Sequence, residues 1–186
     1  MQEVKDAKIL EMLSNDSQFD KGFELLVQKY QERLYWHIRN YVHFHQDADD
    51  IIQNTFIKVF KNIKGFESKS KLYTWMYRIA TNESINYINK NKRHVHSNVD
   101  EHLIEFEEKL KADTYFDGDA AQLNLIKAIS KLPLKQKTVF NMRYFDELSY
   151  ADISEILDTS IGSLKASYHH AMKKVETHLK ESQSYV

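Results

Sequence analysis

SYADISEILDTSIGSLKASYHHAMKKV, Ser149 to Val175, is the stretch whose reading decides the fold. Ser149 with Asp152 three residues on has the form of a capping box and predicts a helix from Tyr150 to Leu157. Asp158 to Ser160 leaves room for a turn only. Beyond it Ile161, Leu164, Tyr168, Ala171, Met172, Val175 and Leu179 keep helical spacing almost to the end of the chain. Two helices joined by so short a turn form a helix-turn-helix candidate. Between Ser160 and Val175 the second helix carries Lys165, His169, His170, Lys173 and Lys174 and no acid. Its first turns suit a major groove, where Lys165 reaches purine N7 and O6 while later cations sit against phosphate. A plain helical hairpin with a solvated face accounts for the same residues.

Working outward, Lys135 to Phe145 reads as a further helix. Leu123, Ile126, Ile129 and Leu132 mark another that stops near Pro133, because proline pushes the residue before it out of the helical region. Residues 94 to 121 lose the periodicity, gain acids and contain Gly118, which predicts a domain boundary and linker. Nearer the start, Phe19, Phe23, Leu26, Val27, Tyr30, Leu34, Ile38, Tyr41 and Val42 mark the buried face of a long amphipathic helix. Ile51, Ile52, Thr55, Phe56, Val59, Phe60 and Ile63 repeat that spacing, as do Leu72, Trp75, Met76, Ile79 and Ala80. Three helices can thus enclose one aromatic-rich core, with the polar loop Gly65 to Lys71 between the second and third.

Four glycines and one proline are too few for tight hairpins, so the chain is expected to be all-α. The expected layout is an N-terminal segment 1–18, a helical domain 19–96, an acidic linker 97–121 and a second small helical domain 122–186.

A formal net charge of -1 hides a sorting of charge along the chain. From Lys58 to Arg93, nine Lys or Arg stand against Glu67 and Glu83, net +7; from Asn98 to Ala121, eight acids stand against Lys109 and Lys111, net -6. Basic blocks beside an acidic one suit domains that face polyanions and a connector that avoids them or faces something basic; solvated surface charge accounts for the same sorting. The absence of cysteine rules out disulfides and thiolate metal sites, and no signal peptide or membrane span is visible, so the expected compartment is the cytoplasm.

Three further constellations carry possible chemistry. Phe66, Tyr73, Trp75, Tyr77 and Tyr87 are interleaved with cations and with Asn82 and Asn86, a composition that suits unstacked bases and a single-strand backbone. The same aromatics also suit a core, Trp75 above all. Asp47, Asp49 and Asp50 precede Gln53 and Asn54 at the start of a helix, where acids complement the helix dipole in any case. His43 and His45 beside those aspartates, His94 with His96, and His169 with His170 lack helical ligand spacing, so no metal or cofactor is expected. Neither a phosphate loop nor a nucleophile elbow is visible, and no catalytic residue and no small-molecule substrate are expected.

Together these pieces resemble the extracytoplasmic-function (ECF) group of the sigma-70 family, over most of the chain and in the expected order. Asp47-Ala48-Asp49-Asp50-Ile51-Ile52-Gln53-Asn54-Thr55-Phe56 is similar to the core-polymerase-binding helix. The resemblance implies that Asp50 and Gln53 touch the polymerase clamp helices, with Asp47, Thr55 and Phe56 in the same interface. Tyr73-Thr74-Trp75-Met76-Tyr77-Arg78-Ile79-Ala80-Thr81-Asn82 resembles the melting and −10 helix. It implies −10 contacts from Phe66, Ser68, Lys69, Ser70, Tyr73, Trp75, Asn82 and Asn86, the loop and Asn82 forming a pocket for a flipped base. Leu132-Pro133, then Phe140, Arg143 and Tyr144, then Ser149 to Ile153 are similar to the −35-binding domain. There the implied contacts are Arg143, Ser163, Lys165, Ala166, His169, His170 and Lys173. The implied partners are polymerase core, through clamp helices and flap, promoter DNA and an anti-sigma factor.

Departures bear on the promoter. Asp158 stands where a turn glycine is usual, predicting a slightly strained left-handed residue. Ser167, His170 and Met172 replace frequent arginines, which predicts a weaker phosphate grip, more sensitive to salt and, at His169 and His170, to pH. Two rivals fit parts of the pattern: a dimeric helix-turn-helix regulator acting without polymerase, and a helical metal enzyme built on Asp47 to Asp50 with His43 and His45.

Overall fold

The computed structural model describes residues 4–42, 44–92 and 120–183, which contain helices and no strand. The chain divides into two compact units, Met1–His94 and Val95–Val186. The acidic stretch 97–119, and with it His94, His96 and Gly118, lies outside the described residues, as does His43.

The first unit contains α1 (Asp6–Leu13), α2 (Phe19–Arg39), α3 (His45–Asn62), a 3-10 turn (Ile63–Gly65) and α4 (Leu72–Lys92). Helix α1 falls in the N-terminal segment 1–18, for which the sequence reading named no helix. Ile9 and Leu13, one turn apart, are buried against α2. Its start is tied down by Tyr30, whose hydroxyl donates to the Asp6 carboxylate at 2.8 Å, and by Lys29, whose Nζ lies 2.7 Å from the Val4 carbonyl. Gly22 is needed for this packing: a Cβ there would stand 2.9 Å from Met12 Cβ and 3.1 Å from the Leu13 amide nitrogen.

Leu26, Leu34 and Ile38 from α2, Ile51 and Val59 from α3, and Met76 from α4 fill the core. Each fully buried aliphatic side chain contributes about 1.5–3 kcal/mol. The buried hydroxyls solve their hydrogen bonding locally. Thr55, Thr81 and Ser84 donate to the carbonyls of Ile51, Tyr77 and Ala80, each one turn back. With its proton committed to Tyr77, Thr81 Oγ1 must accept from buried His37 Nε2 at 2.9 Å, which assigns the imidazole proton to that nitrogen.

The second unit contains α5 (Ala120–Ser130), α6 (Leu134–Tyr144), α7 (Tyr150–Leu157) and α8 (Ile161–Gln183). Pro133 ends the approach to α6 with ψ 140°, and its carbonyl opens the helix by accepting from Lys137 N at 2.9 Å. Ala128, Ile129, Leu132, Phe140, Ala171 and Val175 form one cluster, while Ile153 and Leu164 are fully buried under α7 and α8.

Three residues assigned to apolar stripes by periodicity stand outside the cores: Phe60, Ile161 and Met172 are 48%, 42% and 39% exposed. Each lies at the angular edge of its stripe, where spacing alone cannot say which way a side chain turns.

Candidate nucleic-acid and polymerase interfaces

In the second unit, Ser149 Oγ accepts from the Asp152 amide at 3.1 Å, so the cap starts α7 where the sequence places it. Asp158 ends the helix at φ 49°, ψ 50°, the expected left-handed residue. The turn is locked beside it: Thr159 N donates to Ser154 O at 3.3 Å, and Ser154 Oγ to Thr159 O at 2.8 Å. Ser160 then opens α8, its carbonyl accepting from Leu164 N at 3.0 Å.

With Leu164, Ala171 and Val175 facing inward, α8 turns Lys165, Ala166, His169, His170, Lys173 and Lys174 to solvent, and Ser163 is half-buried at the edge. Lys165, His169 and Lys173 follow one another at four-residue steps and form a single cationic ridge. Tyr150 lies behind it, its ring 5.9 Å from Lys165 Nζ and 5.4 Å from the Arg143 guanidinium. Arg143, read from sequence as a −35 contact, is half-buried and donates from Nη1 to the Leu148 carbonyl at 3.1 Å. The structure gives it a part in fixing the connection between α6 and α7. Tyr168 is packed under the helix, and burial first, then the Tyr150 phenol, push its hydroxyl above the usual tyrosine range.

In the first unit, Asn82 and Asn86 are exposed one turn apart on α4. The loop before α4 presents exposed Ser68 and Lys69 and half-buried Ser70, with Ser68 in the left-handed region at φ 54°. Lys69 pairs with Glu67, and Lys71 Nζ lies 5.5 Å from the Tyr73 ring. Phe66 and Trp75 are both half-buried, their rings 5.3 Å apart and tilted by 46°, so each keeps an open edge beside the loop. Tyr77 does not share this surface. It is 2% exposed, with its ring 4.7 Å from His37, and belongs to the core. Tyr87 donates its hydroxyl to Asp47 Oδ1 at 2.5 Å; burial first, then that bond, raise its pKa above the usual value, which keeps it a proton donor.

That bond engages Asp47, which is half-buried, whereas Asp50 and Gln53 are exposed on α3. Thr55 is fully buried, its hydroxyl on Ile51, so it holds the helix inward and cannot reach a partner. Two residues missed by the sequence reading continue the outer face: Ile57 and Phe60, 45% and 48% exposed. Asp50, Gln53, Ile57 and Phe60 follow a three-four-three spacing, the seam geometry of a coiled coil, and run opposite the buried series Ile51, Thr55 and Val59. A recess of about 370 Å³ opens along this seam between α2 and α3, lined by Phe23, Val27, Phe56, Ile57 and Phe60. The three-four spacing of Asp50, Gln53 and Ile57 was available in the sequence, but Phe60 fits the buried stripe equally well, so spacing could not place it on the outer face.

Among the described residues no group of three or more His, Asp or Glu could hold a metal ion, and no helix is long and apolar enough to cross a membrane. The Sigma-70 region 2 family matches residues 26–94, and the Sigma-70 region 4 family matches 122–175. The ECF RNA polymerase sigma factor SigW of Bacillus subtilis is 33% identical over 172 residues, 86% of this chain and 90% of that protein. The chain belongs to the ECF sigma factors of the sigma-70 family. The ECF RNA polymerase sigma-E factor of Haemophilus influenzae is 31% identical over 84% of this chain and 86% of that protein. Two solved structures share the fold. The sigma factor RpoE in complex with the anti-sigma factor NepR from Bartonella quintana covers 86% of this chain and 98% of its own, at 21% identity and TM-score 0.67. CnrH in complex with the cytosolic domain of CnrY covers 95% and 97%, at 17% identity and TM-score 0.69. For this family member α8 corresponds to the C-terminal part of the region 4 match, and α3 and α4 to the region 2 match.

Proposed function

We propose that this ECF sigma factor directs promoter-specific initiation through three surfaces, and that binding energy, with no bond chemistry of its own, carries the work. The observation that supports this most is the acid-free ridge of α8 above a capped, tightly turned α7. Lys165 and Ala166 face base edges at −35, Ser163, His169, His170 and Lys173 accompany them along the groove and backbone, and Arg143 acts from behind through Tyr150 and Leu148. Phe66, Ser68, Lys69, Ser70, Tyr73, Trp75, Asn82 and Asn86 receive the unstacked −10 strand, with aromatic edges for bases and cations for phosphate.

Asp50, Gln53, Ile57 and Phe60 dock polymerase core along the coiled-coil seam, with Phe56 lining its recess and Asp47 held in place by Tyr87. Two units at 19–96 and 122–186, joined by the acidic stretch 97–121, raise one another's effective concentration at a promoter once core holds both. The same surfaces suit an anti-sigma partner in a cytoplasmic setting, because a protein that covers the seam blocks core binding.

Run-off transcription with purified bacterial core on candidate promoters tests the reading. Transcripts are expected only in the presence of this chain, and Gln53→Ala with Phe60→Asp should weaken core binding by about tenfold or more. Core that neither binds nor responds, while the chain alone shifts palindromic duplex, replaces this reading with that of a dimeric regulator.

A further inference from the structure

The −10 loop borders a recess of about 390 Å³ whose opposite wall comes from outside the segment that matches the region 2 family. Lys64, Phe66 and Ser68 supply the loop side; Leu10, Leu13, Ser14 and Asp16, from the end of α1 and the turn after it, supply the other. That turn has its own internal frame. Ser14 Oγ donates to Glu11 O at 2.8 Å, and Asn15 Oδ1 accepts from both the amide and the hydroxyl of Ser17, at 3.0 and 2.8 Å. The two walls are linked at the stem of the loop, where Lys64 Nζ lies 2.7 Å from Asp16 Oδ1 and 5.0 Å from the Phe19 ring. Lys64 holds the Asp16 carboxyl below its ordinary range, by hydrogen bond first and charge second. The pair is exposed and contributes little stability by itself, so α1 owes its place to burial of Ile9 and Leu13 and to the close approach that Gly22 permits.

We infer that α1 is a positioning element of the −10 loop: seated on α2 through Gly22, it forms the wall against which Phe66 and Ser68 take their conformation, and so sets which unstacked base the loop accepts. The inference rests on the reading that this loop holds a base. It assigns a specificity role to a helix that offers DNA no cationic ridge, acting through the loop. Ser68, a non-glycine residue at φ 54°, is the point where the wall matters most, because a left-handed residue with a side chain persists only when its surroundings hold it there.

Two variants act on the wall from different sides. Gly22→Ala places a methyl group against Met12 and Leu13 and displaces α1; Ser14→Trp, at an exposed position, fills the recess without entering the core. Each is combined with polymerase core and tested on promoters carrying all four bases at every position of the −10 element, alongside core binding and −35 duplex binding. The expected result is a change of about tenfold in the ratio between bases at one or more −10 positions, with core and −35 binding unchanged. A purely structural defect lowers transcription from every promoter together and leaves the ratios alone; unchanged ratios in both variants overturn the inference. If the unaltered chain itself supports no promoter-dependent transcript, it is the sigma reading that fails, and this inference falls with it.

Discussion

Helices α4 and α8 are close in length, 21 and 23 residues, and α4 carries half of the DNA contacts proposed for its unit while α8 carries nearly all of those proposed for the other, and the two are built differently. On α8 the division between core and ligand is clean. Leu164, Ala171 and Val175 turn inward, Lys165, His169 and Lys173 outward, and the ridge needs only a capped start and a fixed turn to be ready for a groove. On α4 the aromatics are shared. Tyr77 is in the core, Trp75 and Tyr73 are half in it, and the residues proposed to lie nearest an unstacked base belong to a loop where Phe66 meets Trp75 and which shares a recess with the end of α1. A duplex presents its edges in a regular groove that a straight helix can read. A base leaving the stack needs a pocket, and a pocket must be held from several sides.

The largest effect that would sharpen this contrast lies beneath the ridge. Leu164→Ala should cost the second unit about 2–5 kcal/mol, because the cavity forms where α8 rests on α7. Urea unfolding followed by far-ultraviolet circular dichroism measures it, and a loss below about 1 kcal/mol would mean that the ridge has another support.

Next comes a crossed pair. Trp75→Ala should reduce capture of single-stranded −10 DNA by about 1–3 kcal/mol, the worth of one stacked base, and leave −35 duplex binding intact. Lys165→Ala should do the reverse, losing about 1–3 kcal/mol on duplex and relaxing base preference at one position, while Lys173→Ala should lower the salt slope by about 1. Fluorescence anisotropy with each DNA over a salt series reads all three. A Trp75 variant that weakens duplex binding, or a Lys165 variant that spares it, would dissolve the distinction between the helices.

The same contrast explains what the sequence made legible. In the second unit, the Ser149 cap, Pro133 and Asp158 are local signals whose physics involves only near neighbours. They place α7 at Tyr150–Leu157 and the left-handed turn where both are found. In the first unit the deciding contacts are long-range. Nothing near Phe60 reveals that Phe19 and Phe23 will meet one side of its ring and leave the other open, and nothing near Tyr77 reveals that His37 lies against it. Thr55 and Arg143 matched the family's pattern by position, but burial turned the first inward and the Leu148 carbonyl engaged the second. Helix α1 escaped notice because eight residues give barely two turns of periodicity, too short a run to separate from a polar segment.

The smallest effect tests how local the second unit's turn is. A residue with a Cβ in the left-handed region carries a conformational cost of about 1 kcal/mol, less for Asp than for most. Asp158→Gly removes that cost but gives the unfolded chain more freedom, so the net gain should be a few tenths of a kcal/mol up to about 1 kcal/mol. Thermal unfolding of the variant should therefore show a slightly higher midpoint, with −35 duplex affinity unchanged, since the Ser154–Thr159 bonds already fix the direction in which α8 leaves the turn. A lower midpoint would mean that the Asp158 carboxylate holds the turn, and that even the simpler of the two proposed DNA surfaces depends on more than its cap and backbone.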